Sequence, residues 1–193
     1  MAVPLPKLTP DEYLAIEREA EYKSEYFNGE IFAMAGGTGD HSNLAADLIV
    51  CIGRRLAGRR CRVYTSDLKV RSGPNDLYTY PDVTVVCGKP VYSDTHKDVL
   101  TNPRVIFEVL SDSTEARDRG FKFRQYKQID SLEEYVLVSQ TEPFVERYSR
   151  SEGGEWTGYG EAKGPDAILV LTSLGIEIPL SEIYADAPDA DSF

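Results

Sequence analysis

Arg104 to Thr114 reads RVIFEVLSDST, and its interpretation decides the fold. Val105, Ile106, Phe107, Val109 and Leu110 are β-branched, aromatic or aliphatic, and they surround one glutamate. Strand alternation puts Ile106, Glu108 and Leu110 on one face, with Val105, Phe107 and Val109 on the other. A strand apolar on both faces is a central strand, so Glu108 is headed for the interior. Burying a carboxylate without compensation costs several kcal/mol.

A second stretch repeats the anomaly. In YPDVTVV (80–86), Asp82 shares a face with Tyr80, Thr84 and Val86. Two candidate strands thus each carry one acid in otherwise apolar sequence. A divalent cation shared by Asp82 and Glu108 would keep both ionised, and carboxylate oxygens suit Mg²⁺ or Mn²⁺ rather than zinc. The competing explanations are structural. Asp82 would cap a strand start through nearby backbone amides, and Glu108 would pair with a cation of the following helix.

That helix, STEARDRGFKFRQYKQID, starts a very short turn after Glu108, with Ser113 or Thr114 as its cap. Asp118, Lys122 and Tyr126 recur at i, i+4 and i+8 and line one stripe, while Ala116, Phe123 and Ile129 are candidates for the buried side. Such a stripe is commonly only a solvated face. Beside Glu108, however, Lys122 is positioned to neutralise a phosphate or orient a nucleophile.

Outward from these strands, Leu8–Glu25 predicts an N-terminal helix with Thr9 as N-cap, Pro10 in the first turn and Glu12 completing a capping box. NGEIFAMAGG predicts a turn and a short strand. GDHSNLAADLIVCIGRRLAG predicts the strongest helix, with Leu44, Leu48, Cys51, Ile52 and Leu56 on one face. RCRVYTSDLKVRSG reads as one bent strand and TYPDVTVVCG as another, after a turn at SGPND. EEYVLVSQ is a further strand, and PFVERYSRSEGGEWTGYGEA is two strands around a glycine turn. DAILVLTSLGIEIPLSEIYA reads as a strand with a closing turn. The order suggests a mixed sheet flanked by helices.

The 193 residues suit one domain: a core at about 8–140, a β extension at about 141–180 and an acidic tail at about 184–193. No apolar run reaches the ~20 residues of a membrane span, and the N-terminus lacks a signal-peptide pattern, so a cytoplasmic location is expected. Three cysteines without CxxC spacing argue against a disulfide framework and a zinc ribbon, and Cys51 reads as core. The net charge of −11 opposes non-specific coating of nucleic acid, although the basic stretches RRLAGRRCR and RDRGFKFRQYK leave room for a local phosphate-facing surface.

YPDVTVV, FEVLSDST, the D-x-x-x-K-x-x-x-Y stripe and EEYVLV, preceded by SEYFNGEIFAMAGGTGDHSNLAADLIVCI, together resemble the Uma-two family of restriction-endonuclease-like proteins in the PD-(D/E)XK superfamily. The resemblance covers Leu8 to Gln140, and five short motifs in the right order make it specific. It implies an α/β (α+β) restriction-endonuclease-like core, with an added β-hairpin here, and a metal-dependent endonuclease acting on DNA, RNA being a second option. By this likeness Asp82 and Glu108 hold Mg²⁺ (or Mn²⁺) with the Val109 carbonyl. The superfamily expects a lysine two residues after the second acid, where this chain has Leu110, and Lys122 resembles its replacement. Glu25, at the end of the expected first helix, resembles an additional helical acid. His41 is either a cleft residue or a helix-start residue bonded near its own cap. His96 reads as a surface residue and Lys69 as an exposed strand position. Arg54, Arg117 and Arg119 are candidate nucleic-acid contacts. A homodimer would let two sites cut a duplex, with the Phe144–Tyr159 hairpin as interface or, equally, as core. The rival function is a nuclease-like fold kept as a non-catalytic binding module.

Overall fold

The protein is described from a computed structural model, covering residues 7–34, 36–73 and 77–185. The acidic tail and most of the SGPND turn fall outside these residues, apart from Tyr184 and Ala185 of the tail and Ser72 and Gly73 of the turn.

RVIFEVL forms β8 (Val105–Leu110), buried along its whole length. It lies in a six-stranded mixed sheet of order β11-β10-β9-β8-β6-β3. Here β3 is Cys61–Thr65, β6 Val83–Cys87, β9 Glu134–Ser139, β10 Phe144–Arg150 and β11 Trp156–Lys163. β8 runs antiparallel to β6 and parallel to β9, and that parallel pair requires the helical crossover between them. Val105, Phe107 and Val109 pack with α2 (Gly39–Arg55), the β12/β13 hairpin (Ile168–Leu171, Ile176–Pro179) and α5 (Leu180–Ile183). Ile106 and Leu110 face the other way, onto Phe123, Tyr126 and Tyr135. The alternation expected of this strand is what the two cores display.

A second sheet, β2-β1-β5-β4-β7, covers the crossover side. Its strands are β1 (Ser24–Phe27), β2 (Glu30–Ala33), β4 (Lys69–Ser72), β5 (Leu77–Thr79) and β7 (Val99–Leu100). β1 and β2 form a hairpin closed by Asn28 and Gly29, at φ 48° and 92°, as a two-residue Asn-Gly turn demands.

Several expectations need correction. α1 spans only Pro10–Glu19, and Glu25 lies on β1 rather than at a helix end. The capping box at Thr9 and Glu12 is present, but Ala20 is already extended. The Glu17 carboxylate accepts from the Ser24 amide and hydroxyl, folding the chain back into β1. The two long strands of residues 60–88 each divide into a pair serving both sheets, β3 with β4 and β5 with β6. Residues 168–183 form a hairpin and a helical turn, not a single strand. Ala116 is exposed, whereas Phe123 and Ile129 are buried. Lys69 is buried and bonded to the Tyr80 hydroxyl at 3.1 Å. Cys61 and Cys87, directly opposed across β3 and β6, form a disulfide, against the expectation drawn from cysteine number and spacing. Cys51 is a free, buried core residue. Tyr148 and Trp156 pack on Phe123 at the edge of the core, whereas Tyr159 of the same hairpin is exposed.

Candidate active site

Four elements converge on Glu108. The first is the crossover, which is not a continuous α-helix. It runs as α3 (Glu115–Arg117), a π-helical segment (Asp118–Lys122) and α4 (Phe123–Tyr126). Thr114 is its N-cap, without a side-chain cap bond. In the wide turn the Phe123 amide reaches the Asp118 carbonyl, which also accepts from the Tyr135 hydroxyl at 3.1 Å. π-Helical turns are rare and concentrate at functional sites. This one turns Asp118, Lys122 and Tyr126 inward together.

Lys122 Nζ lies 2.9 Å from Asp118 Oδ1, 3.2 Å from Glu108 Oε1 and 3.6 Å from Glu25 Oε1. The Tyr126 hydroxyl donates to Glu108 Oε1 at 2.8 Å. Glu108 is 2% exposed, Asp118 1% and Lys122 7%. Lys122 therefore stands at the acid that sequence order placed fourteen residues earlier, while Leu110 is buried among apolar side chains.

The second element is β1, which delivers Glu25. Its carboxylate accepts from the Arg117 guanidinium at 2.7 Å and from the Thr79 hydroxyl. Sequence reasoning does not single out Thr79, whose burial in β5 beside Glu25 comes from the tertiary structure.

The third and fourth elements meet at Asp82 and His41. Val83 pairs with Phe107, so extending the register sets Asp82 opposite Glu108. Asp82 Oδ2 accepts from the Val109 amide at 2.7 Å and lies 3.3 Å from His41 Nε2. His41 projects from the first turn of α2, whose N-cap Thr38 accepts the His41 amide. Its ring also meets the Val109 carbonyl. Gly37 permits this, because a Cβ there would sit 2.9 Å from His41 Nδ1. His41 thus bonds near its cap through its amide and meets Asp82 and the Val109 carbonyl through its ring.

The electrostatics are unbalanced. If all were ionised, Glu25, Asp82, Glu108 and Asp118 would outnumber the cations Lys122 and Arg117 by two charges, with His41 beside Asp82 able to offset one when protonated. Burial pushes the Glu108 carboxyl well above its usual range, with Asp118 and Asp82 adding to the rise and Lys122 opposing it. Asp118 is raised by burial too, again opposed by Lys122. For Lys122, burial disfavours the charge, but Glu108, Asp118 and Glu25 outweigh it and hold the ammonium protonated. One cation cannot neutralise three carboxylates, so both sets of directions hold together. The His41 bond to Asp82 raises the imidazole above its usual value against the cost of burial.

The remaining candidates lie further out. Arg119 pairs with Glu115 at 2.6 Å and with Glu146. Arg54 is near the C-terminal end of α2, roughly 20 Å along the axis from His41 at 1.5 Å per residue. His96 is on the surface, beside Asp94. Among the described residues, no three His, Cys, Asp or Glu side chains are grouped as a ready metal cage, and no helix is long and apolar enough to cross a membrane.

A mixed sheet whose adjacent strands each deliver a carboxylate to one cleft, backed by a helical lysine, is the arrangement of a restriction-endonuclease-like fold. Residues 10–181 match the family model described as "Uma2: Putative restriction endonuclease", and the chain belongs to that family. It is 38% identical over 183 residues to the uncharacterized protein slr1290 of Synechocystis sp., covering 95% of this chain and 94% of that one. Identity to a second Synechocystis protein, the uncharacterized sll1609, is 35% over 149 residues, 77% and 84% of the two chains. A crystal structure from Anabaena variabilis, described as "a putative nuclease belonging to DUF820", superposes with a TM-score of 0.74 at 20% identity. That match covers 92% of this chain and 98% of the other, and it shows the shared fold.

Proposed function

We propose that the protein is a divalent-metal-dependent nuclease that hydrolyses phosphodiester bonds in DNA, with Asp82 and Glu108 at its centre. The observation carrying this reading is the surplus of buried carboxylates around Lys122, a charge imbalance that a divalent cation would relieve. The donor chemistry also fits, since carboxylate oxygens and the Val109 carbonyl are hard ligands suited to Mg²⁺ or Mn²⁺. When bound, such an ion would supply Lewis acidity toward the scissile phosphate. His41 and the Val109 amide hold Asp82 in place, and Tyr126 fixes the Glu108 rotamer. Lys122 supplies a positive charge that can orient an attacking water or offset charge developing on the phosphate. Asp118 at 2.9 Å and Glu25 at 3.6 Å also hold that ammonium.

A homodimer would set two such sites on the two strands of a duplex, and light scattering gives its mass directly. The enzymatic reading is tested with plasmid and linear DNA in Mg²⁺ and Mn²⁺, beside Asp82→Ala and Glu108→Gln. Cleavage by the wild type alone is expected, and equal traces from all three proteins would refute it.

A second reading, a non-catalytic module, is favoured by one observation: Asp82 and Glu108 are both engaged by protein groups. It requires that Mn²⁺ leave the melting temperature unchanged. A thermal shift with Mn²⁺ that disappears in Asp82→Ala rejects it.

A further inference from the structure

Phe32 stands on the exposed strand β2 of the β1–β2 hairpin beside the site. All four residues of β2 are exposed, and Phe32 and Ile31 are 36% and 38% accessible. The register pairs Phe32 directly with Glu25, so the two side chains leave one face of the hairpin as neighbours. Glu25 is itself 3.6 Å from Lys122 Nζ, which puts the Phe32 ring one side chain away from the carboxylate cluster. The guanidinium of Arg117 lies 5.1 Å from the centre of the Phe32 ring and 4.9 Å from that of Phe121. It is held there by its bond to Glu25. Phe121 in turn meets Phe27 edge-to-face at 4.8 Å. The result is a partly exposed Phe32 ring with the Arg117 cation, pinned by Glu25, over it.

Charge defines the occupant. The cations closest to the carboxylates are spoken for: Arg117 by Glu25, Arg119 by Glu115 and Glu146, and Lys122 by three acids. In a chain of net charge −11, that leaves little to draw a duplex by its phosphates, whose contacts supply most non-specific affinity. A flat π-system next to a fixed guanidinium instead suits an unpaired base, since stacking needs no sequence and gains from a neighbouring cation.

We propose that Phe32, backed by Arg117 and Phe121, is a base-stacking platform that selects single-stranded nucleic acid for the adjacent site. This rests on the nuclease reading for the nature of the polymer, and it narrows the substrate to a strand with accessible bases. A base on Phe32 delivers its own or the neighbouring phosphate toward Lys122 and Asp82, while a paired duplex presents no free base face to the ring.

The test is fluorescence anisotropy with the full-length protein and three labelled 12-mers: single-stranded thymidine DNA, the same strand made abasic, and a blunt duplex. Ca²⁺ replaces Mg²⁺, because it neutralises the carboxylates with looser coordination, and a parallel RNA strand distinguishes the sugar. The wild type is expected to prefer the base-bearing single strand over both other probes. Phe32→Ala and Phe32→Leu should lose roughly tenfold in affinity for that strand, the scale of one stacked base. Neither should change for the abasic strand, and Phe32→Trp should bind like the wild type. Equal binding of base-bearing and abasic strands, a preference for duplex, wild-type affinity in Phe32→Leu, or no binding to any probe would each overturn the proposal. Cleavage in Mg²⁺ is scored separately. Phe32-dependent stacking without cleavage would remove catalysis and keep the platform, and cleavage without base dependence would do the reverse.

Discussion

Replacing Lys122 by Met removes the one ammonium shared by Glu108, Asp118 and Glu25 and keeps an unbranched apolar side chain one atom shorter. At an effective dielectric constant near 20, a unit charge pair at the observed 3.2 Å attracts by about 5 kcal/mol before desolvation is counted. Deleting one member of a buried pair typically costs about 3–5 kcal/mol, because the partner charge is left without compensation. Here the orphans can take up protons, so a loss of about 3 kcal/mol at pH 8 is expected, a large part of a domain's usual ~5–15 kcal/mol. Urea unfolding followed by Trp156 reads it, since the indole ring stacks edge-on at 5.5 Å against Phe123 of α4. The pH dependence has a defined sign. A carboxyl whose folded pKa exceeds its unfolded value binds more protons when folded, so it costs stability as pH climbs from about 4.5 through the raised value. Without Lys122 that rise is larger, so the penalty should shrink as pH is lowered from 8 to 5. Adding Glu108→Gln should recover at least ~1 kcal/mol, because it removes an orphaned charge. A penalty under ~1 kcal/mol at pH 8, or one that grows on acidification, would refute the shared-cation account.

Tyr126→Phe deletes only the 2.8 Å bond to Glu108 and should cost about 2 kcal/mol in the same urea assay. Gly37→Ala brings a Cβ against the His41 ring, so the Asp82 contact should break and the His41 pKa should drop toward 6.5, read by NMR in a chain with two histidines. Arg18 holds the Asp98 carboxyl at about 2, against 3.8 unfolded. Its contribution is therefore present above pH 3.8 and lost as pH falls toward 2. Asp98→Asn should flatten the fall of the urea midpoint between pH 4 and 2.

The sequence by itself determined the local features with strong chemical causes. Alternation in RVIFEVL predicts both which residues face each core and that Glu108 is interior, and the structure agrees. The Thr9–Glu12 capping box, the turn at Asn28-Gly29 with the strand after it, and the buried stripe of α2 were equally legible, since each depends on residues a few positions apart. Only the tertiary structure decided what Glu108 meets. The inward turn of Lys122 depends on a π-helical segment, and a five-residue change of helical pitch leaves no mark in hydrophobic periodicity. Helix propensity that persists to Lys23 predicts Glu25 as a helical acid, whereas Ala20 is already extended and Glu17 bonds Ser24 at the start of β1. The Cys61–Cys87 bond depends on the register of β3 against β6, and the pairing of Phe32 with Glu25 depends on the register of the hairpin. Interactions between neighbours in sequence are encoded locally. Contacts that close a buried charged site across 14 to 92 residues exist only once the sheets are assembled, because burial itself makes those charges seek each other.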